Sequence, residues 1–518
     1  MGRDKNTARA ANACARFQPA LRFQPSPPPT ELPVLSLVAT VLLGISPGSE
    51  RPPNIVFFLA DDLGWSEVGC YGQTRIRTPH IDRLAAEGMR FTQAYSGSPV
   101  CASSRCVLMT GLHTGHALIR GNKEVGGWGP DEPEGQWPLP DETVTLAELL
   151  KDQGYTTGAV GKWGLGGPGS SGHPCFQGFD FFYGLLCQRV AHNYYPTHLW
   201  HNHDVDVLDG NRWFKSHQRL KAVPEDDSVW DQYATARYAP DAMIEKTLDW
   251  LQENKDRPFF LYYPTPVPHV SLQVPEDSLA EYDSAFEETP YLGTQGYLPH
   301  PRPRAAYAAM VTRMDAHFGR ILDLLDRLDL TGDTLVMFSS DNGPTFNGGT
   351  DSTFFESAGP FRGLKCSVLE GGIRVPMIAR WPGKIAAGTV SEHPCAFEDV
   401  MPTLMDVSGG ETPTGLDGLS FAPTLLGAGV QARRDHLYWE YPGLGGQQAV
   451  RVGQWKLVRE NLRKGEVKTT LFDLEADPGE SRDLSVSRPE VLKRMLETAR
   501  RARTRSELFP MGALDREG

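Results

Sequence analysis

Short runs dominated by apolar residues recur along the chain from residue 53 onward. The first, Asn54–Ala60, carries no charged side chain. Continuous apolar runs of this length are typical of strands buried on both faces, as in a parallel sheet. Further runs of this kind occupy residues 156–160, 259–263, 334–338 and 376–379.

Longer segments between these runs have the spacing of amphipathic helices. Thr145-Leu-Ala-Glu148 fits a capping box that opens a helix ending near Gly154. Residues 241–254 and 306–328 each place apolar side chains on one stripe. Strands that alternate with helices predict an α/β fold with a large mixed, mostly parallel sheet flanked by helices.

The pattern changes from about residue 430 onward. Short strand candidates lie at residues 437–440, 449–452, 456–458 and 470–472, and a basic helix is predicted over 489–503. We therefore predict a main domain of residues 51–405 and a smaller C-terminal α+β subdomain of residues 430–518, a small antiparallel sheet plus a helix. The residues between 405 and 430 are the predicted linker.

The first 50 residues are predicted to lie outside this fold. Residues 32–45 form an uncharged apolar run of 14 residues behind a basic region. A membrane-spanning helix needs about 20 residues, whereas a shorter run is typical of a secretory signal peptide. We predict that residues 1–50 are a signal peptide or N-terminal extension, and that the protein is exported, periplasmic or secreted, without a stable membrane anchor. The alternative is a disordered tail with an apolar patch.

Charge and cysteine content narrow the range of partners. The net charge of −13 argues against nucleic acid, because nucleic-acid binders carry basic patches. A local cluster of cations can still bind a small anion. Eight cysteines in 518 residues are too few for a disulfide scaffold. The sequence allows a disulfide such as Cys175–Cys187 without establishing it, and leaves the oligomeric state open.

Oxygen-donor side chains directly follow two of the predicted strands. Asp61 and Asp62 come after the first run, and Asp341 and Asn342 follow the run at residues 334–338. Ligand sites in α/β sheets gather beyond the carboxyl ends of the strands. Adjacent carboxylates repel unless a cation neutralises them, and all-oxygen sites favour hard cations such as Ca²⁺ or Mg²⁺. A solvated turn is the alternative for each pair.

A cysteine and several cations could complete such a site. Cys101 precedes a helix predicted to begin near Ser104, and a helix N-terminus favours an anion. Arg105 could hold developing negative charge with its two-pronged guanidinium. Lys162, His269 and Lys365 also follow or flank strand-like runs. Cations beside a carboxylate-bound metal suit a tetrahedral oxyanion ester, although each residue taken alone fits an ordinary surface charge.

Taken in order, these motifs resemble the formylglycine-dependent, arylsulfatase A-like sulfatases of the alkaline-phosphatase-like superfold. The resemblance covers about residues 53–480 and includes Cys101-Ala-Ser-Ser-Arg105. It implies that a maturation enzyme oxidises Cys101 to formylglycine. It also implies that Asp61, Asp62, Asp341 and Asn342 bind one divalent cation, usually calcium with magnesium as the alternative, and that modified Cys101 completes the site.

The resemblance also implies the reaction and the roles of the cations. Hydrated formylglycine attacks sulfur and expels the alcohol; the second hydroxyl then loses its proton, sulfate leaves, and the aldehyde returns. Arg105 and Lys162 would steady the nucleophile. Lys365 and His269 would bind the sulfate and assist the leaving oxygen. The catalytic function would lie in the main domain.

Two positions depart from the pattern of this family. Ser103 stands where the common motif has Pro or Ala, and Gly164 stands where the motif G-K-W-H-L-G has the His assigned as base for sulfate release. His192 is our candidate substitute for that base, and its alternative role is that of a structural loop histidine.

The substrate is predicted only by class. The segments 121–140, 164–200 and 270–300 would line the pocket, and aromatic side chains within them suit sugar rings. These side chains are Trp128, Trp137, Tyr194, Tyr195 and Trp200. Burial of these side chains within the packed loops would explain them equally well. We expect a sulfated glycan or other sulfated small molecule as the substrate. The alternatives are a phosphonate or phosphate ester hydrolase of the same superfold and a non-catalytic, sulfatase-like binding protein.

Overall fold

The fold is given by a computed structural model that describes residues 51–127 and 129–516. The strands of these residues are β1 (Asn54–Ala60), β2 (Met89–Phe91), β3 (Ala94–Tyr95), β4 (Thr156–Lys162), β5 (Phe181–Leu185), β6 (His198–His201), β7 (Asp204–Val207), β8 (Phe259–Pro264), β9 (Thr334–Ser340), β10 (Met377–Arg380), β11 (Thr389–Ser391), β12 (Cys395–Ala396), β13 (Leu437–Tyr441), β14 (Gln447–Val452), β15 (Trp455–Glu460) and β16 (Lys468–Asp473). The α-helices are α1 (Pro79–Glu87), α2 (Cys101–Thr110), α3 (Leu146–Asp152), α4 (Ser228–Asp231), α5 (Ala239–Asn254), α6 (Glu276–Leu279), α7 (Pro303–Arg327), α8 (Glu370–Ile373), α9 (Val400–Ser408), α10 (Ala422–Leu426) and α11 (Pro489–Arg501).

The main sheet has ten strands in the order β11-β2-β10-β9-β1-β8-β4-β5-β6-β7. Its centre, β9-β1-β8-β4-β5, is parallel throughout, and antiparallel pairs join β10 and β6 to it. The parallel centre places the carboxyl ends of five strands at one edge. The predicted large, mixed, mostly parallel sheet is therefore confirmed.

Helices cover both faces of this sheet, which explains why β1 is apolar from Ile55 to Ala60. Val56 and Phe58 belong to the core on the side of α5 and α7, whereas Ile55 and Phe57 belong to the core on the side of α2 and α9. A strand with both faces buried has no position at which a polar side chain could reach water.

The C-terminal part forms the second element of the predicted architecture. Strands β13 to β16 make a four-stranded antiparallel sheet. Met495 and Ala499 of α11 pack against it in a core of their own. This confirms the small antiparallel sheet with its helix. The residues from 51 onward form one compact unit, and the domain boundaries at 405 and 430 stay a prediction.

Several local predictions need comment. The capping box is confirmed: Thr145 accepts from the Glu148 N–H, and the Glu148 carboxylate accepts from the Thr145 N–H. The predicted helix start near Ser104 is wrong, because α2 begins at Cys101. The predicted linker is partly helical, since α9 extends to Ser408 and α10 lies inside it.

The cysteines of the described residues are all free thiols. The disulfide that the sequence allowed is therefore not formed. Cys187 Sγ instead contacts the carbonyl oxygens of Gly126 and Gly135, at 3.6 and 3.2 Å. Cys175 Sγ lies 3.7 Å from the Asn202 Oδ1 atom. Among the described residues, no helix combines the length and hydropathy needed to cross a membrane. The predicted signal peptide at residues 1–50 lies outside the described residues.

Candidate active site

The site begins where β1 and β9 end side by side. These strands are parallel and pair Ala60 with Ser340, so the residues that follow them meet at one edge of the sheet. The Asp341 N–H donates to the Ala60 carbonyl, and the Asp62 N–H donates to Asp341 Oδ1 at 3.1 Å. Asp61, Asp62 and Asp341 are fully buried. The two oxygen-donor pairs predicted from separate strands are thus brought together.

Each buried carboxylate has a cationic partner. Lys162 Nζ lies 2.6 Å from Asp61 Oδ2, and Lys365 Nζ lies 2.6 Å from Asp62 Oδ2. The Arg105 guanidinium donates to Asp341 Oδ2 through Nε at 3.0 Å and Nη2 at 2.8 Å. Three carboxylates therefore balance three cations, which is the condition under which buried charges are tolerated.

The pKa values of these groups follow from burial and from their neighbours. Burial opposes ionisation of Asp61, but the charges of Lys162 and Arg105 outweigh it and hold the pKa of Asp61 below its usual range. Burial, together with the neighbouring carboxylate of Asp61, raises the pKa of Asp341. A further positive charge among these oxygens would relieve their mutual repulsion.

Cys101 lies at the centre of this cluster as the first residue of α2. Its Sγ atom is 3.3 Å from Asp61 Oδ1 and 3.8 Å from Asp62 Oδ1. The side chain is buried, and burial together with the carboxylate of Asp61 raises the pKa of the thiol well above its usual value. Ser103, which departs from the family motif, is buried two residues later and donates to Ser98 Oγ at 2.6 Å.

Asn342 adds a buried amide oxygen to the residues around the carboxylates. Its Nδ2 donates to Asp62 Oδ1 at 2.7 Å and to the Gly343 carbonyl at 2.9 Å. Its Oδ1 atom is buried and has no hydrogen-bond partner among the described residues. A buried amide oxygen beside three carboxylates is the donor set that hard divalent cations take. Asp61, Asp62, Cys101 and His269 also offer ligand atoms within 4.8 Å of one another. The residues present therefore fit a divalent cation.

His269 presents one ring nitrogen to the cluster. Its Nδ1 contacts the Val270 carbonyl at 2.5 Å, so Nδ1 carries the proton and Nε2 faces Asp62 Oδ2 at 3.6 Å. Burial and the nearby Lys365 lower the pKa of His269 to about 3. In the neutral ring, Nε2 therefore has a lone pair directed toward the carboxylate edge.

His192 lies behind His269. The two rings stack with centroids 5.0 Å apart and an interplanar angle of 10°. His192 Nδ1 is 3.3 Å from His217 Nε2, which in turn contacts the Arg189 guanidinium at 2.9 Å. Burial and the proximity of His269 lower the pKa of His192 well below its usual value. The structure thus places His192 in a ring stack, and its role as a base stays a prediction.

Several residues of the site were missed from the sequence. His217 and Tyr297 lie beside the stacked rings of His192 and His269. The ring centroids of His217 and Tyr297 are 4.5 Å apart. Asn122 Oδ1 accepts from the N–H of Ala102, next to Cys101. These residues come from loops, and no spacing in the sequence connects them to the strands that carry the carboxylates.

The aromatic residues expected to line the pocket fall into different classes. Tyr194 and Tyr195 belong to the buried core, so their expected role in the pocket is wrong. The Tyr194 hydroxyl donates to the Pro266 and His269 carbonyls and thereby supports the His269 loop. Trp137 lies 4.1 Å beneath Lys123 Nζ, and Trp200 donates to Glu134. Trp128 lies outside the described residues.

Comparison with known families identifies the chain. The family model described as Sulfatase matches residues 53–410, which is more than half of the chain. The chain belongs to the sulfatase family. A second model, described as N-sulphoglucosamine sulphohydrolase, C-terminal, matches residues 364–503 of this sulfatase.

Three similar proteins illustrate the relationship. Arylsulfatase A of Homo sapiens is 33% identical over 88% of this chain and 89% of its own length. N-acetylgalactosamine-6-sulfatase of Canis lupus familiaris is 32% identical over 79% of this chain and 72% of its own length. The solved structure of Ps i-CgsB in complex with k-i-k-neocarrahexaose matches with a TM-score of 0.70 at 27% identity, covering 88% of this chain and 94% of that chain. This sulfatase is accordingly an enzyme that hydrolyses sulfate esters.

Proposed function

We propose that this sulfatase removes sulfate from a sulfated carbohydrate, using a formylglycine made from Cys101 and one divalent cation, Ca²⁺. The observation that carries the proposal is the position of Cys101. Its Sγ atom lies between Asp61 and Asp62 at the start of α2, within a buried ring of carboxylates and cations. A nucleophile at this position would have a cation site on one side and Lys162 and Lys365 close by.

The cation would lie among Asp61, Asp62, Asp341 and Asn342. Oxygen donors from carboxylates and an amide favour calcium or magnesium over softer metals. Because the buried charges already balance, a dication would leave the site with a net positive charge. A sulfate monoester is an anion and would be attracted to such a site.

The chain's own residues have separable tasks. When present, the formylglycine supplies two geminal hydroxyls, one to attack sulfur and one to release sulfate, and the cation supplies positive charge beside the sulfate oxygens. Lys162 and Arg105 fix the carboxylates next to the nucleophile. Lys365 Nζ can move from Asp62 toward a bound sulfate oxygen. His269 Nε2 faces the same edge, and it would assist the leaving oxygen as a general acid once the ring has taken up a proton at Nε2.

The names of relatives support a carbohydrate substrate. N-acetylgalactosamine-6-sulfatase is named for a sulfated sugar, and Ps i-CgsB was solved with k-i-k-neocarrahexaose bound. Trp137 and Lys123 form an aromatic and cationic pair next to Asn122, which itself binds the start of α2. An aromatic face with an adjacent cation suits a sugar ring that carries sulfate.

We further propose that this sulfatase is exported. The proposal rests on the uncharged run at residues 32–45, which has the length of a signal-peptide core. A formylglycine-generating enzyme of the host would have to act on Cys101 before the site closes, because the mature side chain is buried.

A desulfation screen tests substrate and cation together. We expect sulfated mono- or oligosaccharides to exceed 4-nitrophenyl sulfate in kcat/KM, with activity lost on chelation and restored by Ca²⁺. Calcium at about 100 times its Kd should also stabilise the folded protein by about 2.7 kcal/mol, measured as a thermal shift. Equal stability with and without calcium would contradict the cation, and a preference for aryl sulfates would contradict the carbohydrate.

The role of His192 can be separated by two substitutions. His192→Ala removes both the ring stack on His269 and a potential base, whereas His192→Phe keeps a ring but no titratable nitrogen. If His192 is the base for sulfate release, both variants should lose turnover by about 10²-fold or more and accumulate sulfated enzyme, which mass spectrometry detects. Full activity in His192→Phe with loss in His192→Ala would assign a positioning role. Unchanged turnover in both would remove His192 from the mechanism.

A further inference from the structure

Gln188 carries a buried amide that the rest of the chain leaves unsatisfied. The residue is 1% exposed. Among the described residues, neither its Nε2 nor its Oε1 atom has a hydrogen-bond partner. Buried polar side chains nearly always have partners, because an unmet donor or acceptor costs free energy. A group of this kind is expected to meet a ligand.

One side of Gln188 adjoins the segment that carries Lys162. The Trp163 and Gly164 N–H groups donate to the Leu185 and Leu186 carbonyls, so the two segments run side by side beyond β4 and β5. A Cβ atom placed on Gly164 would lie 3.0 Å from Gln188 Nε2. Gly164 is two residues beyond Lys162, whose Nζ bonds Asp61. The amide therefore lies at the same sheet edge as the carboxylates.

The other side of Gln188 leads to the start of α2. The Gln188 N–H donates to Gln136 Oε1 at 3.2 Å, and Gln136 Nε2 donates to the Lys123 carbonyl at 3.2 Å. The neighbouring Asn122 accepts from the N–H of Ala102 at 2.9 Å. Gln188 is thus next to the segment that follows Lys162, and Gln136 and residues 122–123 connect its backbone to the helix end that presents Cys101.

The Gln188 amide packs closely against Gly164. A Cβ atom at residue 164 would make tight contacts with the Gln188 side chain, which would have to shift by a few tenths of an ångström. Gly164 also has φ of +80°, which favours glycine. The Gln188 amide therefore lies directly beside the position at which the family motif has its histidine. An amide does not take up a proton at neutral pH, so Gln188 cannot act as the base that this histidine would supply.

We propose that Gln188 is a substrate-binding residue whose Nε2 donates a hydrogen bond to an oxygen of the bound sulfate group. This inference rests on the proposed function of the same site. Sulfate oxygens only accept hydrogen bonds, so they complement the amide donor. A neutral donor adds to Lys162 and Lys365 without a further buried charge.

The test compares Gln188→Met with a matched control, Gln177→Met. Methionine keeps the size of the side chain and removes both polar atoms. Gln177 is equally buried and its Oε1 also has no partner among the described residues, but its Nε2 donor is satisfied by the Pro140 and Ser171 carbonyls, so it controls for loss of a donor that serves the fold. We expect Gln188→Met to melt at or above the wild-type temperature, because the free protein loses an unpaired buried amide. Gln177→Met should melt lower and keep its activity while folded.

Sulfate binding and turnover supply the other readouts. For Gln188→Met we expect a 10- to 100-fold loss in kcat/KM with 4-nitrophenyl sulfate, about the effect of one hydrogen bond to a charged group. Its affinity for inorganic sulfate, measured by calorimetry, should fall by a similar factor. Gln188→Glu should bind sulfate more weakly still, because a carboxylate repels it.

Two results would overturn the inference. Sulfate affinity and kcat/KM within about twofold of wild type in Gln188→Met would show that the amide does not touch sulfate. A fall in melting temperature like that of Gln177→Met would show that the amide is paired within the chain. Calorimetry with sulfate needs no turnover, so the inference is tested even if wild-type protein proves inactive, a result that would bear on the proposed function instead.

Discussion

Cys101→Ser is expected to stop after a single turnover. A serine hydroxyl at the start of α2 can attack sulfur once and release the alcohol, but it has no second hydroxyl with which to expel sulfate. We expect at most one alcohol released per enzyme molecule and a protein about 80 Da heavier, the mass of the SO₃ group transferred to serine. Cys101→Ala should show no burst of released alcohol. Its steady-state rate should be lower by about 10⁴- to 10⁶-fold, as for other deleted nucleophiles.

Cys106→Ala is the matched control for these variants. Cys106 lies on the same helix and is equally buried, but it packs in the apolar core between α2 and its neighbours. Removal of its thiol should lower stability slightly and leave kcat unchanged. Sustained turnover by Cys101→Ser would contradict the assignment of Cys101 as a nucleophile that needs two hydroxyls.

Asp62→Asn is expected to cause the second large loss. The Asp62 carboxylate contacts Cys101, Lys365 and Asn342 and thereby helps to position all three side chains. Asn keeps the shape and tolerates the φ of 66° at this position. It removes a carboxylate from the cation site and leaves Lys365 without its anion. We expect kcat/KM to fall by about 10³-fold, in line with several kcal/mol of lost metal-ion catalysis.

Stability and calcium binding provide independent readouts for Asp62→Asn. Breaking a buried ion pair typically costs about 3–5 kcal/mol, and solvation of the Lys365 side chain, which is 11% exposed, allows some of this to be recovered. The calcium-induced thermal shift should disappear. Asp329→Asn makes the same change at another positive φ on an exposed residue and should alter neither property. A normal calcium shift in Asp62→Asn would contradict its place in the cation site.

The carboxylate cluster was partly predictable because the positions of the strands along the chain are visible in the sequence. Apolar runs mark β1 and β9, and each ends directly before a pair of oxygen donors. Parallel strands in one sheet end at the same edge, so Asp61, Asp62, Asp341 and Asn342 could be expected at one edge, and the resemblance to the sulfatases grouped them as ligands of one cation. The adjacency of β1 and β9, which brings them into contact, came from the structure. Their cationic partners could be proposed on the same basis.

Other parts of the site could not be predicted because they depend on loop paths. His217 and Tyr297 meet His192 and His269 through long connections that carry no periodic signal. No local sequence feature singles out Gln188. It stands out because its buried amide has no hydrogen-bond partner among the described residues, which only the structure shows.

Two errors have simple physical causes. Tyr194 and Tyr195 were expected in the pocket because aromatic side chains suit sugar rings. Their rings lie in the buried core instead. The start of α2 was placed too late because small polar residues such as Ser103 and Ser104 usually precede a helix, whereas here they are buried within it.

Peptide mass spectrometry of residue 101 tests the central claim most directly. The measurement uses protein that hydrolyses a sulfate ester, produced in a host with a formylglycine-generating enzyme. We predict that the peptide containing residue 101 is about 18 Da lighter than the cysteine form and that its aldehyde reacts with a hydrazine probe. An unmodified Cys101 thiol in fully active protein would contradict the account.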